Sequence, residues 1–246
     1  MELTGKVIVV IGGSSGIGAA AVRHFAALGA SVVVGYHNGE ERAQALIDSL
    51  PKADHAIARV QLEAPKTFAI LAEQLRERFG KVDVLVNSAG FTRAIPHADL
   101  DKLDDILFEQ ILMANVRGPY SAIRALAPLL RASGDAVVIN VSSVSGFTAS
   151  GSNVAYCASK AALDNITMSL GRALGPEIRV LSVSPGAVAT DFVPGRDRAA
   201  LETSAKSAPL RRVIEPDDVA AAITACVTHL KASTGIKIVV DGGRHL

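Results

Sequence analysis

The chain is poor in residues that would point to metal, disulfide or membrane chemistry. It has only two cysteines, Cys157 and Cys226, and neither stands near another Cys or His at metal-ligand spacing. Neither a disulfide framework nor a zinc site is expected, and both thiols are read as buried. Cys157, which adjoins a residue singled out below, would be a target for alkylating agents if it were exposed. Apolar runs such as Val7–Ile11 fall far short of the roughly 18 residues needed to cross a bilayer. The opening Met1-Glu2-Leu3-Thr4-Gly5-Lys6 lacks the basic stretch and apolar core of a secretory leader, so a cytoplasmic location is expected. Charge of one sign is missing as well: 25 Lys+Arg against 24 Asp+Glu leave a net +1. Such a surface has no long-range field for nucleic acid or an anionic membrane, which leaves a small molecule as the expected partner.

With 49% hydrophobic and 20% charged residues, a sizeable core is expected. Short β-branched runs alternate with stretches of helical periodicity. Strands are expected at Val7–Ile11, Ser31–Tyr36, Ala56–Gln61, Val82–Asn87, Ala136–Val141, Val180–Ser184 and Ile236–Val240, and helices from near Gly16, Gly39, Pro65, Leu100, Val154 and Pro216, with a short one around Arg198–Lys206. This alternation predicts an α/β, Rossmann-type doubly wound fold, a seven-stranded mostly parallel sheet with helices on both faces. No linker or repeat divides the chain, so residues 1–246 are read as one domain. The irregular segment Thr190–Arg212 follows the sixth strand, at the edge where this fold binds ligands, and two readings are open for it, a mobile lid over the substrate and a plain surface loop.

After the first strand comes Gly12-Gly13-Ser14-Ser15-Gly16-Ile17-Gly18, followed by a helix. Glycines in a strand-loop-helix context let backbone N–H groups approach a pyrophosphate at the positive end of the helix, which predicts nucleotide binding. The second strand ends in Tyr36-His37-Asn38, where an NAD site usually places an acid against the ribose hydroxyls. No acid stands there. His37, Asn38 and the Ser14 and Ser15 hydroxyls are hydrogen-bond donors suited to a 2′-phosphate, so NADP(H) is favoured over NAD(H).

In the helix opening near Val154, Tyr156 and Lys160 are four residues apart and share a face. A free phenol titrates near 10, and an adjacent cation favours its ionised form, so Lys160 is expected to lower the pKa of Tyr156 towards neutrality. Tyr156 would then give or take a substrate proton. Upstream, the fifth strand ends in Ser142-Ser143-Val144-Ser145-Gly146, at the ligand-binding edge, where the Ser143 hydroxyl could donate to a carbonyl oxygen. A serine hydrolase built on Ser143 is disfavoured, because no Gly-x-Ser-x-Gly elbow surrounds it and no histidine suggests itself as base.

With Gly12–Gly18, Asn87-Ser88-Ala89-Gly90, Ser143 and Tyr156–Lys160 in this order, the sequence resembles the short-chain dehydrogenase/reductase family over nearly its whole length, closest to the 3-oxoacyl-carrier-protein reductase type. Ser184-Pro185-Gly186-Ala187-Val188-Ala189-Thr190 and Val239-Val240-Asp241-Gly242-Gly243 agree. The resemblance implies Tyr156 as general acid/base, Lys160 lowering its pKa and holding the nicotinamide ribose, Ser143 polarising the carbonyl, and Asn115 placing a proton-relay water. It further implies that Asn87, Ala89 and Gly90 line the adenine ribose, that Gln61 and Leu62 meet the adenine, and that Pro185, Gly186, Val188 and Thr190 hold the carboxamide. A homotetramer is implied too.

Ile11 departs from the family's Thr at the head of the glycine motif, and Gln61-Leu62 from its Asp-Val. Docking an acidic carrier protein calls for basic residues where this chain has Arg131-Ala132-Ser133-Gly134-Asp135 and Gly175-Pro176-Glu177, so a free ketone or alcohol is favoured over a carrier-bound thioester. Two other classes compete: a non-catalytic nucleotide-binding scaffold or sensor, against which the Tyr156/Lys160 pair speaks, and a nucleotide-sugar epimerase. The epimerase is disfavoured because only about sixty residues follow Pro185, little room for a substrate domain.

Overall fold

The computed structural model describes residues 1–246. Seven strands form one parallel sheet: β1 (Val7–Ile11), β2 (Ser31–Tyr36), β3 (Ala56–Arg59), β4 (Val84–Asn87), β5 (Ala136–Val141), β6 (Ile178–Pro185) and β7 (Lys237–Val240), in the spatial order β3-β2-β1-β4-β5-β6-β7. β1 is buried along its full length, with Val9 set beside Val33 of β2 and Leu85 of β4. Alternation sends Ile8 and Val10 into one core and Val9 and Ile11 into the other, which is why the central strands read as unbroken apolar runs. The first core lies under α1 (Gly16–Ala27) and α9 (Pro216–Thr228), the second under α3 (Pro65–Phe79) and α5 (Gly118–Arg131). Strand order reverses between β1 and β4, and a crevice opens beyond their carboxyl ends.

The expected elements are present, with displaced boundaries. β3 stops at Arg59 and not Gln61, because the Gln61 N–H leaves the ladder for the Thr67 hydroxyl of α3. β4 starts at Val84 and not Val82, whose N–H bonds the Leu129 carbonyl of α5. β6 begins two residues before the expected Val180, concealed in the sequence by Arg179, whose guanidinium snorkels to the carbonyls of Cys226 and Leu230. β7 starts at Lys237, one residue late.

The helix expected from Leu100 starts instead at Asp105, because the Asp104 carboxylate caps it by accepting the Leu107 N–H. This α4 (Asp105–Leu112) runs through a π-helical stretch, Met113–Arg117, into α5. α2 (Glu40–Asp48), α7 (Val154–Ala173) and α8 (Arg198–Ala205) lie where expected, and a short α6 (Ser145–Thr148) follows β5.

At the opposite end of the sheet from the crevice, Asp83 is wholly buried. One oxygen accepts from Lys6, Lys81 and Ser133 at 3.1, 3.2 and 2.7 Å, the other from the Val7 N–H at 2.9 Å. Burial opposes the charge, but these four donors outweigh it and hold the carboxyl below its ordinary range. A depressed folded-state pKa stabilises the fold above the unfolded-state pKa, and that stability is lost as pH falls through the folded value. Asp83→Asn is expected to lower unfolding free energy by about 3 kcal/mol at pH 7, with the gap to wild type closing below about pH 4, as read by urea melts across pH.

Candidate active site

Two glycines of the β1–α1 loop are required by close approaches. Gly12 has φ +80°, and a Cβ there would lie 2.6 Å from the Ala89 nitrogen; at Gly18 it would lie 2.1 Å from the Gly12 oxygen. The loop is thereby pressed against the end of β4, and the first turn of α1 sits directly on it. No side chain caps that helix, and its first turn has no acid. The free N–H groups and the helix dipole make a cradle for an anion at the mouth of a cleft of about 2050 Å³. That volume is about twice an ordinary ligand pocket, room enough for a dinucleotide and a substrate together.

Of the residues singled out in the sequence, Gly12, Ser14, Ser15, Gly16 and Ile17 line one end of this cleft with Tyr36, His37 and Asn38; Leu62, Ala89 and Gly90 follow, and Pro185, Gly186, Val188 and Thr190 flank Ser143, Tyr156 and Lys160. Four do not line it. Gly18 lies beneath the loop. Gln61 stands between the cleft-lining Val60 and Leu62, and its amide meets the His37 ring at 3.2 Å. Asn87 is buried, tying β4 to β5 through Asn140 at 2.9 Å.

Asn115 is buried in the π-helical stretch, with both amide hydrogens committed to the Phe91 carbonyl and the Ser159 hydroxyl and its oxygen taking the Phe91 N–H at 2.8 Å. The side chain braces the loop after β4, the π turn and α7 against one another. π turns recur at functional sites, and this one lies directly under the Gly90 loop.

Tyr156 and Lys160 occupy the first turns of α7. Asn153 caps that helix by accepting the Tyr156 N–H at 2.7 Å while its own amide donates to the Arg93 carbonyl at 2.8 Å. This cap was visible in the sequence only as a polar residue before a helix. Ser143 Oγ accepts the Ser145 N–H at 3.1 Å, which leaves its hydroxyl hydrogen to point into the cleft. Lys160 is buried, donates to the Val141 carbonyl at 2.8 Å and lies 5.7 Å from the centre of the Tyr156 ring.

The electrostatics depart from expectation. Burial raises the Tyr156 phenol to about 12; the Ser143 hydroxyl and then the Arg196 cation draw it down, and Lys160 is not among the groups that move it. Lys160 itself falls to about 8 through burial, partly offset by Asp164. Raised this far, the phenol keeps its proton at neutral pH. Cys157 next to it is buried and its thiol raised by burial, which removes it as an alkylation target.

Three cleft residues escaped the sequence reading. Arg42 of α2 sits, like the Ser14 hydroxyl, against Gly39, at the end of the cleft opposite Tyr156, and Arg196 and Arg244 stand at the other. Thr190 lies against Gly16 and Phe192 against Gly90, so the segment after β6 roofs the cleft. No helix is long and apolar enough to cross a membrane.

A family model described as enoyl-(acyl carrier protein) reductase matches residues 11–245. A Streptomyces violaceoruber protein named as a ketoacyl reductase of the granaticin polyketide synthase is 38% identical over 98% of this chain and 96% of its own. A 3-oxoacyl-[acyl-carrier-protein] reductase of Thermotoga maritima is 31% identical over 99% of each. A short-chain dehydrogenase of Burkholderia cenocepacia, solved in complex with NADP, superposes with a TM-score of 0.89 at 32% identity over the whole of both chains. The chain belongs to the short-chain dehydrogenase/reductase family, whose members bind a nicotinamide cofactor, and is an oxidoreductase of CH–OH groups and their ketones.

Proposed function

We propose that this chain, as a single domain, reduces a ketone with NADPH, with Tyr156 as general acid, Ser143 as carbonyl donor, Lys160 as ribose anchor, and Asn115 as a positioning residue. The observation that carries this reading is the convergence of Ser143, Tyr156 and Lys160 on one wall of the cleft that the glycine loop opens. Bound nicotinamide supplies the hydride. The chain supplies the proton: the Tyr156 phenol, protonated throughout the neutral range, passes it to the carbonyl oxygen while the Ser143 O–H donates to the same oxygen. The phenolate left behind is favoured by the Ser143 hydroxyl and the Arg196 cation. Lys160 keeps N–H donors beyond the one on Val141, which suit the ribose hydroxyls.

Selection of NADP rests on Arg42, His37, Asn38 and Ser14. Arg42 pairs with no carboxylate and lies, like the Ser14 hydroxyl, against Gly39 just beyond β2, giving a 2′-phosphate the fixed cation that the loop itself lacks, whereas His37 lies 3.8 Å from Glu63. The relatives named for ketoacyl and 3-oxoacyl reduction favour a 3-oxoacyl-type substrate. The sparse positive charge at Arg131–Asp135 and Gly175–Glu177 favours one free of carrier protein, with a homotetramer as the working assembly.

Assays with NADPH and NADH against ketones, 3-oxo esters and acetoacetyl thioesters test the reading. Tyr156→Phe is expected to lower kcat by about 10²–10⁴-fold with NADPH affinity intact, and undiminished turnover would reject the mechanism. In the reverse direction the phenolate is the required form; because the phenol is raised, alcohol oxidation should climb by about tenfold per pH unit between pH 6 and 9 while ketone reduction should not. Arg42→Ala is expected to weaken NADPH binding by about 10–100-fold and NADH binding by less than about twofold, read by cofactor fluorescence.

A further inference from the structure

The reacting end of the cleft carries more positive charge than this chemistry uses. Beyond Tyr156 its wall includes Phe192, Arg196 and Arg198 from the segment after β6, and Arg244 from the C-terminal turn. The Phe192 ring lies 6.0 Å from that of Tyr156, which sets this wall at the phenol and away from Arg42. The arginines differ in their partners. Arg198 is neutralised by Glu215 at 2.9 Å and Glu202 at 3.3 Å.

Arg196 meets no carboxylate; burial and the neighbouring Arg244 act against its charge, and only the Tyr156 oxygen favours it. The nearest acid in sequence to Arg244, Asp241, is already occupied. One of its oxygens accepts the Gly243 N–H at 2.8 Å, and the other accepts the His245 N–H at 2.9 Å and the His245 ring at 2.8 Å. Asp191 lines the same cleft but pairs with neither arginine.

Two unpaired guanidinium groups facing one partly desolvated space repel each other, and a ligand anion relieves both. Their planar forks match a carboxylate bidentately. We infer that Arg196 and Arg244 form an anion subsite beside Tyr156, and that the ketone this chain reduces carries a carboxylate close to its reacting carbonyl. This deepens, and rests on, the oxidoreductase reading above. An oxo acid fits the arrangement: the carboxylate lies on the two arginines, the carbonyl oxygen between Ser143 and Tyr156, and the apolar carbon chain against Phe192.

The test compares 3-oxobutanoate with its methyl ester, which share a reacting ketone, at saturating NADPH in wild type, Arg196→Gln and Arg244→Gln. Both side chains are exposed, so the variants should fold, and the acid-to-ester ratio of kcat/KM cancels any effect of Arg196 on the phenol. Wild type is expected to prefer the acid, and each variant to lower the ratio by about tenfold or more with NADPH affinity, read by fluorescence, within about twofold. An unchanged ratio overturns the subsite. So does a parallel loss of NADPH affinity, which would assign the arginines to a cofactor phosphate. If wild type reduces the ester alone, the subsite falls and the oxidoreductase reading stands; if it binds NADPH and reduces neither compound nor any ketone of the wider panel, both fall.

Discussion

The contact between the end of β5 and the first turns of α7 is what every feature of the cleft depends on. Two hydrogen bonds and one close packing contact make it. Lys160 sends its ammonium to the Val141 carbonyl, Ser142 returns a hydroxyl to the Lys160 carbonyl, and Gly146 lets α6 lie so near the Lys160 backbone that a Cβ would come within 2.8 Å of it. Because helix and strand are this close, a serine at a strand end and a tyrosine thirteen residues later face one space. Asn153 and Asn115 secure the arrangement from the other side, the first by capping α7, the second by tying the π turn to Phe91 and Ser159. Four polar groups are buried here, but each has a partner, so desolvation makes the site rigid without leaving an unpaired group to unfold it.

Desolvation also decides the protonation states. It raises the phenol and lowers the ammonium, moving both towards neutral forms, and the remaining influences on the phenol are the Ser143 hydroxyl, the Arg196 cation and the Cys157 thiol. An isolated helix would have paired Tyr156 with Lys160 by proximity alone; in the folded chain the Val141 carbonyl has the stronger hold on the ammonium. The contrast with Asp83 is informative. That carboxylate is just as hidden, yet four donors converge on it and it stays charged, which suits an anchor. The phenol has only the Ser143 hydroxyl and the Arg196 cation to set against its burial and keeps its proton, which suits an acid.

Much of the fold was legible because the parallel sheet is buried on both faces, so its strands appear as apolar runs and the helices between them keep their own period. The misplaced boundaries share a cause: a tertiary hydrogen bond captured a backbone group that the local pattern assigned elsewhere, as at Gln61 and Val82, or a charged side chain such as Arg179 masked a strand by reaching a distant carbonyl. Ser143, Tyr156, Lys160 and the glycine loop were legible as well, since their spacing within single elements is itself the geometry. Gln61, Asn87 and Asn115 were legible as polar residues near the site, but which way each side chain turns depends on partners remote in sequence.

From the sequence alone follow the parallel sheet, the phosphate-binding turn and the shared helix face of Tyr156 and Lys160, all consequences of residues within about a dozen positions of one another. Only the folded chain decided that the phenol is a protonated acid, that Arg42 closes the far end of the cleft, and that Arg196 and Arg244, 48 positions apart, stand unpaired beside Tyr156. Charge and desolvation act through space, and a linear pattern carries no record of which distant groups come to face the same cleft.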